Sequence, residues 1–353
     1  MSKKIVLTGG GTAGHVTPNL ALIPCLKDAG YDIYYIGSIN GIEKSLIEDC
    51  GIPYLAIETG KFRRYFDPKN FTDPFRVARG FSQAHHFMHQ WKPDIVFSKG
   101  GYVSVPVVQA AAACHVPSIC HESDMTPGLA NKLCTPFAVK VCCNFPETMR
   151  DLPAEKAVLT GTPIRAELFR GDAEKGREIC GFTKDKPVLM VIGGSLGAAS
   201  VNKTIRDNLG SLLQDFQIVH LCGKEKMDNL LLTTPGYKQF EYVQEDLCHL
   251  YAMADIVISR AGANAICELL ALKKPNILVP LPTGRGDQKL NASSFAQQGY
   301  SICVSDDDLP DVILEKVHEL YVNRQKYIDR MAESSQINST KIIMGLIEEY
   351  TKK

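Results

Sequence analysis

The stretch TGGGTAGHVTP, residues 8–18, places a glycine-rich turn and a histidine directly behind the apolar run KIVL. Such a turn between a strand and a helix exposes backbone N–H groups and the positive helix end, which favour an anion or a sugar oxygen. His15 stands at the start of the expected helix, where that positive end favours its neutral, proton-accepting form. A base beside an anion-binding turn suits attack by a hydroxyl group.

Two other interpretations of this turn fit poorly. Gly9–Gly14 can be aligned with the dinucleotide pattern G-x-G-x-x-G, but that pattern also needs an acidic residue at the end of the second strand, about 20 residues on. Gly37 or Ser38 takes that place here. A triphosphate loop would need Gly-Lys-Ser/Thr, which does not follow. A tight turn without a ligand remains the structural alternative.

The second half of the chain contains the same arrangement of an apolar run, a glycine-rich turn and the start of a helix. GGSLGA, residues 193–198, is again a glycine turn behind an apolar run, and Ser195 can donate to a phosphate oxygen. In SRAGANAICE, residues 259–268, Gly262 and the alanine after it open a helix whose bare N-terminus suits a diphosphate. Glu268, further along that helix, can accept hydrogen bonds from both hydroxyls of a ribose.

Four further groups have side chains that could take part in chemistry. Arg165 is placed to reach a leaving phosphate, and the amides of Gln288 and Asn291 are of the type that reads sugar hydroxyls. The triplet Asp306–Asp308 resembles a metal-binding cluster but precedes a helical pattern, so we interpret it as a helix cap with first-turn charges. The histidines of HHFMH, residues 85–89, have no evident third ligand and are interpreted as a helix face. The sequence therefore predicts no metal and no cofactor.

Short β-branched runs alternate with amphipathic stretches along the whole chain and must position these groups. KIVLT, YDIYYIG, PDIVFS and VPSICHE read as buried parallel strands, with helices expected over Val16–Lys27 and Val103–Ala113. The pattern restarts at residue 186. We therefore predict an α/β protein of two Rossmann-like domains facing a cleft, with residues 1–162 and 163–337 as the domains and a C-terminal helix, 338–353, packing back on the first.

Composition narrows the class of protein. The 353 residues carry no formal net charge, which gives no support for a nucleic-acid partner. No run of about 18 apolar residues occurs, and no signal peptide is evident at the start. The twelve cysteines are scattered, so we expect reduced, small core residues in a cytosolic protein. Residues 60–81 mix six basic with six aromatic side chains. This suits an anionic membrane surface, the alternative being a charged loop packed by its own aromatics.

Six motifs in order, GGGTAGHVTP, GGYVSVP, HESDMTPGLANK, GTPIR, GGSLGA and RAGANAICE, resemble those of the MurG family over nearly the whole chain. The resemblance implies the GT-B architecture and transfer of N-acetylglucosamine from its UDP form to an undecaprenyl-linked lipid acceptor, lipid I, which yields lipid II. It also implies inversion without metal or cofactor, a peripheral location on the cytoplasmic face of the membrane, roles in cell-wall synthesis, cell shape and cell division, and cell-wall synthesis proteins as partners.

The resemblance also carries over site residues. His15 matches the proposed base, Glu268 the ribose contact, and Val243 an apolar residue whose backbone reads uracil. Contacts to UDP-N-acetylglucosamine are further implied for Thr12, Ala13, Gly14, Asp124, Arg165, Ser195, Ala263, Asn264, Ala265, Ile266, Cys267 and Gln288. Acceptor-side positions are implied for Gly100, Gly101, Tyr102 and Asn131.

One departure from the family leaves alternatives open. The family commonly has His-Glu-Gln-Asn where this chain has HESD, so Asp124 replaces an amide that contacts the donor sugar, and Asp accepts but cannot donate. The alternatives are a related transferase acting on another lipid such as diacylglycerol, a UDP-sugar 2-epimerase, or a non-catalytic protein that binds a UDP-sugar and serves cell-wall proteins as a partner.

Overall fold

The computed structural model describes residues 2–60, 69–194, 197–282 and 286–351. The chain forms two compact units: Met1–Arg165 together with Asn338–Lys353, and Ala166–Ile337. Each unit is a parallel sheet with helices between its strands, which confirms the predicted fold class of two Rossmann-like domains.

The described residues of the first unit form a seven-stranded parallel sheet in the order β3-β2-β1-β4-β5-β6-β7. The strands are β1 (Lys3–Thr8), β2 (Tyr31–Ser38), β3 (Tyr54–Ile57), β4 (Ile95–Ser98), β5 (Ser118–Glu122), β6 (Lys140–Cys143) and β7 (Ala157–Leu159). The helices between them are α1 (Thr17–Asp28), α2 (Glu43–Glu48), α3 (Lys69–Trp91), α4 (Ser104–Ala113) and α5 (Leu129–Cys134).

The described residues of the second unit form a six-stranded parallel sheet in the order β10-β9-β8-β11-β12-β13. Its strands are β8 (Val188–Ile192), β9 (Gln217–Leu221), β10 (Tyr237–Phe240), β11 (Ile256–Ser259), β12 (Asn276–Leu278) and β13 (Ile302–Cys303). Its helices are α6 (Ala173–Cys180), α7 (Ala199–Asp207), α8 (Leu209–Asp215), α9 (Leu247–Met253), α10 (Ala263–Ala271), α11 (Asp287–Gln297), α12 (Leu309–Val322) and α13 (Arg324–Ala332).

The last helix, α14 (Ser339–Tyr350), belongs to the first unit although it follows the second along the chain. Its apolar side packs Ile343 and Ile347 into the core that also contains Ile5 and Leu7 of β1. Ser339 Oγ donates to the carbonyl of Thr162 at 2.6 Å. Burial of these isoleucines, each worth about 1.5–3 kcal/mol, holds the chain terminus against the first sheet.

The structure bears on the expectations for the cysteines, for membrane-spanning segments and for the stretch at residues 60–81. Ten of the cysteines are buried or half-buried, but Cys50 and Cys303 are exposed, so the expectation that all lie in the core is wrong. None of the helices in the described ranges is both long and apolar enough to span a bilayer. The basic and aromatic stretch at 60–81 lies partly outside the described residues, which resume at α3.

Candidate active site

In the first sheet the strand order reverses between β1 and β4, so the turns that leave these two strands diverge at one point. In open parallel sheets such a switch point forms the ligand-binding crevice. The two turns here are the glycine runs 9–11 and 100–101. They lie so close together that a Cβ added to Gly101, whose φ is +83°, would stand 2.3 Å from the carbonyl oxygen of Gly10. Only glycine permits this backbone-to-backbone contact.

His15 closes the first of these turns. Residues Ala13–His15 form a single 3₁₀ turn, and α1 begins two residues later. The His15 ring is half-buried, and its Nδ1 lies 3.0 Å from Thr12 Oγ1. When Nδ1 carries the proton and donates it to Thr12, Nε2 becomes the proton-accepting nitrogen. Thr12 and Gly14 are exposed at the mouth of the turn.

A buried carboxylate underlies this turn, and the sequence interpretation missed it. Glu43 is fully buried and accepts hydrogen bonds from the N–H of Gly11 at 3.2 Å, from the N–H of Ser38 at 3.0 Å and from the Ser38 hydroxyl. An acidic residue therefore does stand near the end of β2, but its oxygens are occupied within the protein. The Gly11 N–H is also occupied, so the expectation that the whole turn offers N–H groups to a ligand is wrong at that residue.

The HESD loop after β5 is organised by Glu122. Its carboxylate is 5% exposed and accepts hydrogen bonds at 2.8–3.1 Å from three backbone N–H groups and one side-chain amide. The donors are Ser123, Asp124, Gly128 and Asn131. Asn131, expected on the acceptor side, is itself 5% exposed and lies beneath Gly100, where it supports the turn and is shielded from solvent. Asp124 is half-buried on the same loop.

A buried cation lies at the end of β4. Lys99 Nζ is fully buried and donates to His121 Nδ1 at 2.7 Å and to Ser123 Oγ at 2.6 Å. Nε2 of His121 donates in turn to the carbonyl of Gly161 at 2.9 Å. Burial, and secondly the nearby Lys99 charge, lower the pKa of His121 well below its ordinary value, so the ring is neutral. The only sequence signal for this cluster was a lysine directly after a buried strand.

The second sheet repeats the arrangement at the switch point between β8 and β11. The turn after β8 includes Ser195, which lies outside the described residues. The turn after β11 leads into α10, which begins at Ala263 with Gly262 at the N-cap and no side-chain cap. The first-turn N–H groups of a helix have no partner within the helix, so this end can accept a diphosphate.

Along α10, the side chains expected to bind the donor fall into two groups. Ala263, Asn264 and Ala265 are half-buried, as is Glu268 on the second turn. Ile266 and Cys267 are 0% and 5% exposed and pack into the core. Only the backbone of these two residues can face a ligand.

An ion pair holds the turn before α10 in place. It involves one aspartate of the triplet Asp306–Asp308, whose role therefore differs from the predicted one. Arg260 pairs with Asp306, and its NH2 donates to Ser200 Oγ at 2.9 Å; both charged side chains are about nine-tenths buried. Asp308 stands at the N-cap of α12 but makes no capping bond to the helix and instead accepts from Ser305 Oγ at 2.6 Å. Asp306 is therefore a partner of the α10 turn, and the prediction of a helix cap is wrong for it, whereas Asp308 takes the N-cap position without the capping bond.

The remaining predicted residues are spread over the second unit and its boundary. Gln288 is half-buried at the start of α11, where its side-chain oxygen accepts from the N–H of Leu281 at 3.0 Å. Asn291 is 1% exposed and donates to the carbonyl of Ala261, so it supports the α10 turn from within. Val243 is half-buried in the loop after β10, and Arg165 is half-buried at the end of the first unit.

Comparison with known proteins identifies the family. The N-terminal domain of glycosyltransferase family 28 matches residues 5–143, and its C-terminal domain matches residues 188–346. The chain is 60% identical, over 99% of its length and 100% of the relative, to the UDP-N-acetylglucosamine--N-acetylmuramyl-(pentapeptide) pyrophosphoryl-undecaprenol N-acetylglucosamine transferase of Lachnospira eligens. The equally named protein of Clostridium botulinum strain Langeland is 55% identical, again over 99% and 100%. The chain belongs to the MurG family.

Solved structures agree with this assignment. The crystal structure of Acinetobacter baumannii MurG superposes with a TM-score of 0.78 at 28% identity, covering 98% of this chain and 99% of that one. A protein described as a UDP-N-acetylglucosamine 2-epimerase, from Listeria monocytogenes, superposes with a TM-score of 0.70 at 14% identity over 99% and 97% of the chains. That second likeness concerns the fold alone. The MurG family assignment confirms the GT-B architecture and the enzyme class, a hexosyltransferase.

Proposed function

We propose that this chain transfers N-acetylglucosamine from UDP-N-acetylglucosamine to N-acetylmuramyl-(pentapeptide) pyrophosphoryl-undecaprenol, the lipid I precursor of peptidoglycan, to form lipid II. The observation that carries the proposal is the 60% identity, over 99% of this chain and 100% of the relative, to a protein named for this reaction. Relatives at 55–57% identity have the same name.

We assign the nucleotide to the second unit. The uncapped start of α10 receives the diphosphate, and Glu268, on the next turn of the same helix, accepts hydrogen bonds from the ribose hydroxyls. The backbone beside Val243 reads the base, and the Gln288 amide reads the sugar. The burial of Arg260 and Asn291 around residues 260–262 supports this assignment, because it fixes the turn before any ligand arrives.

The chemical step is assigned to His15. The acceptor hydroxyl attacks the anomeric carbon of the donor sugar while the bond from that carbon to the UDP oxygen breaks, which inverts the configuration. Nε2 of His15 takes the hydroxyl proton, and UDP leaves as an anion. The contact between Nδ1 and Thr12 supports this role because it orients the ring.

We propose that the departing UDP needs no metal ion, since Arg165 and the positive end of α10 supply the compensating charge. Among the described residues, no group of three or more His, Cys, Asp or Glu side chains is arranged to hold a metal ion. We further propose that the chain works at the cytoplasmic face of the membrane, held there by the basic and aromatic stretch at 60–81.

The test is release of UDP from UDP-N-acetylglucosamine in the presence and absence of a lipid I analogue. We expect release to depend on the acceptor and to match formation of a disaccharide lipid. Release of UDP at the same rate without acceptor, accompanied by an epimerised free sugar, would instead assign the chain to the epimerases. Binding of UDP without any turnover would make it a non-catalytic UDP-sugar-binding protein.

A further inference from the structure

A cavity of about 390 Å³ lies in the first unit at the carboxyl ends of β2 and β3. This volume is within the range of pockets that hold small ligands, about 300–1,000 Å³. The polar side chains that line it are Ser38, Asn40, Glu58, Thr59, Asp73, Arg76 and Tyr102. Of these, only Tyr102 is among the site residues expected from the sequence, because the lining comes from four separate segments.

Tyr102 connects this cavity to the turn that carries His15. Its ring covers Gly11, so closely that a Cβ added to that glycine would lie 2.6 Å from Tyr102 Cε1. The same ring lines the cavity. A ligand whose reacting hydroxyl lies at the turn can therefore extend past Tyr102 into the cavity without leaving the first unit.

Arg76 is the cationic side chain of the cavity lining, and it favours a ligand with a carboxylate. Arg76 is exposed on α3, and no carboxylate of the described residues lies within ion-pair distance of its guanidinium. The lining also has two acidic side chains: Glu58, directly after β3, is paired with Arg79 at 3.5 Å, and Asp73 on α3 is 2% exposed. Asn40 and Thr59 add an amide and a hydroxyl, which are the groups that hydrogen-bond a peptide backbone. An unpaired guanidinium is the best side chain for bidentate recognition of a carboxylate.

The acceptor of the proposed function carries an acidic peptide next to the hydroxyl that reacts. A muramyl sugar carries its peptide through a lactyl ether on the hydroxyl next to the one that is glycosylated. When the reacting hydroxyl lies at His15, the peptide must start beside the same turn. Its diphosphate and lipid leave from another carbon of the ring.

We propose that this cavity binds the peptide of the acceptor, an acidic peptide, and that Arg76 binds one of its carboxylates. The inference rests on the proposed function, because the peptide reaches the cavity only when the muramyl hydroxyl is the nucleophile. It makes the first unit selective for a muramyl peptide in addition to the lipid diphosphate.

The test compares Arg76→Ala with the unaltered chain on two acceptor analogues in neutral detergent. One analogue carries the pentapeptide, and the other carries a simple amide on the lactyl group. We expect KM for the peptide acceptor to rise about ten-fold, at the lower end for a charge-assisted bond because Arg76 is exposed. KM for the peptide-free acceptor, KM for UDP-N-acetylglucosamine and kcat should stay unchanged.

Lys92→Ala is the control, since it removes one positive charge from an exposed residue directly after α3 that does not line the cavity. It should leave the preference for the peptide acceptor intact. An equal rise in KM for both acceptors in Arg76→Ala would overturn the inference and assign Arg76 to the diphosphate. A loss seen only with anionic vesicles, and equal in both variants, would overturn it in favour of lipid headgroups. If the unaltered chain turns over neither acceptor, the proposed function fails, and this inference fails with it.

Discussion

Gly101→Ala should push the two glycine turns of the first unit apart. We expect this to lower turnover strongly and the free energy of unfolding only slightly. Gly101 has a φ of +83°, and an alanine there would bring its Cβ within 2.3 Å of the Gly10 carbonyl oxygen. The backbone conformation alone costs about 1–2 kcal/mol for an L-residue. In addition, the turns must part by about 1 Å to reach ordinary van der Waals distance. A misplacement of about 1 Å at a reacting centre can cost about a hundred-fold in rate.

We therefore expect turnover with UDP-N-acetylglucosamine and a lipid I analogue to fall about a hundred-fold in Gly101→Ala. The free energy of unfolding should fall by only about 1–3 kcal/mol, and UDP affinity should stay near normal because the nucleotide is assigned to the second unit. The assays are steady-state kinetics, denaturant unfolding and calorimetry with UDP.

Gly30→Ala is the control for the free-energy cost of the left-handed backbone conformation alone. Gly30 has a φ of +76° in the same unit, but no heavy atom lies within 4 Å of an added Cβ. This variant should lose about 1–2 kcal/mol of stability and keep its turnover. If Gly101→Ala turns over as fast as Gly30→Ala, the contact between the two turns does not position the reacting groups, and the assignment of the site to this switch point is wrong.

Four further predictions concern the nucleotide, the base, metal ions and acid. Glu268→Ala should weaken UDP binding at least ten-fold in calorimetry, because the ribose hydroxyls lose a charged partner; unchanged affinity would remove Glu268 from the site. His15→Ala should lower turnover by about a hundred- to ten-thousand-fold at near-normal UDP affinity, and near-full turnover would place the base elsewhere. Activity should survive excess EDTA, and loss that magnesium or manganese restores would contradict the metal-free account. Burial, and secondly the Arg206 charge, lower the pKa of His220 to about 3, below its unfolded value of about 6.5. Its contribution to stability is thus complete above pH ~6.5 and is lost as pH falls towards 3, by about 2 kcal/mol at pH 5. Denaturant unfolding at pH 7 and pH 5 should show a smaller difference for His220→Gln than for the unaltered chain.

The fold could be predicted because its signals are local. Buried parallel strands read as apolar runs such as KIVLT and PDIVFS, and the amphipathic stretches between them set the alternation of strands and helices. The glycine turns could be found for the same reason, since each directly follows an apolar run. The start of α10 at Ala263 follows from the glycine and alanine that precede a helical pattern.

The hydrogen bonds and the ion pair that hold the site in place could not be predicted, because each joins residues that are distant in sequence. Glu43 binds the N–H of Gly11, and Arg260 pairs with Asp306, forty-six residues away. A single sequence does not show which distant residues pair in the fold. The residues next to Asp306 therefore predict a helix cap, although the structure pairs it with Arg260. Amide chemistry predicts a ligand contact for Asn291, and the family resemblance implies an acceptor-side position for Asn131, while the structure uses both amides to hold backbone turns.

The measurement that tests the central claim most directly is the structure of the product. Lipid I analogue and UDP-N-acetylglucosamine would be incubated with the chain, and the lipid product isolated and analysed by mass spectrometry and NMR spectroscopy. The account predicts a lipid-linked disaccharide in which the α configuration of the donor has become β, formed in equal amount to the UDP released. An α-linked disaccharide, an epimerised free sugar or an unmodified acceptor would contradict it.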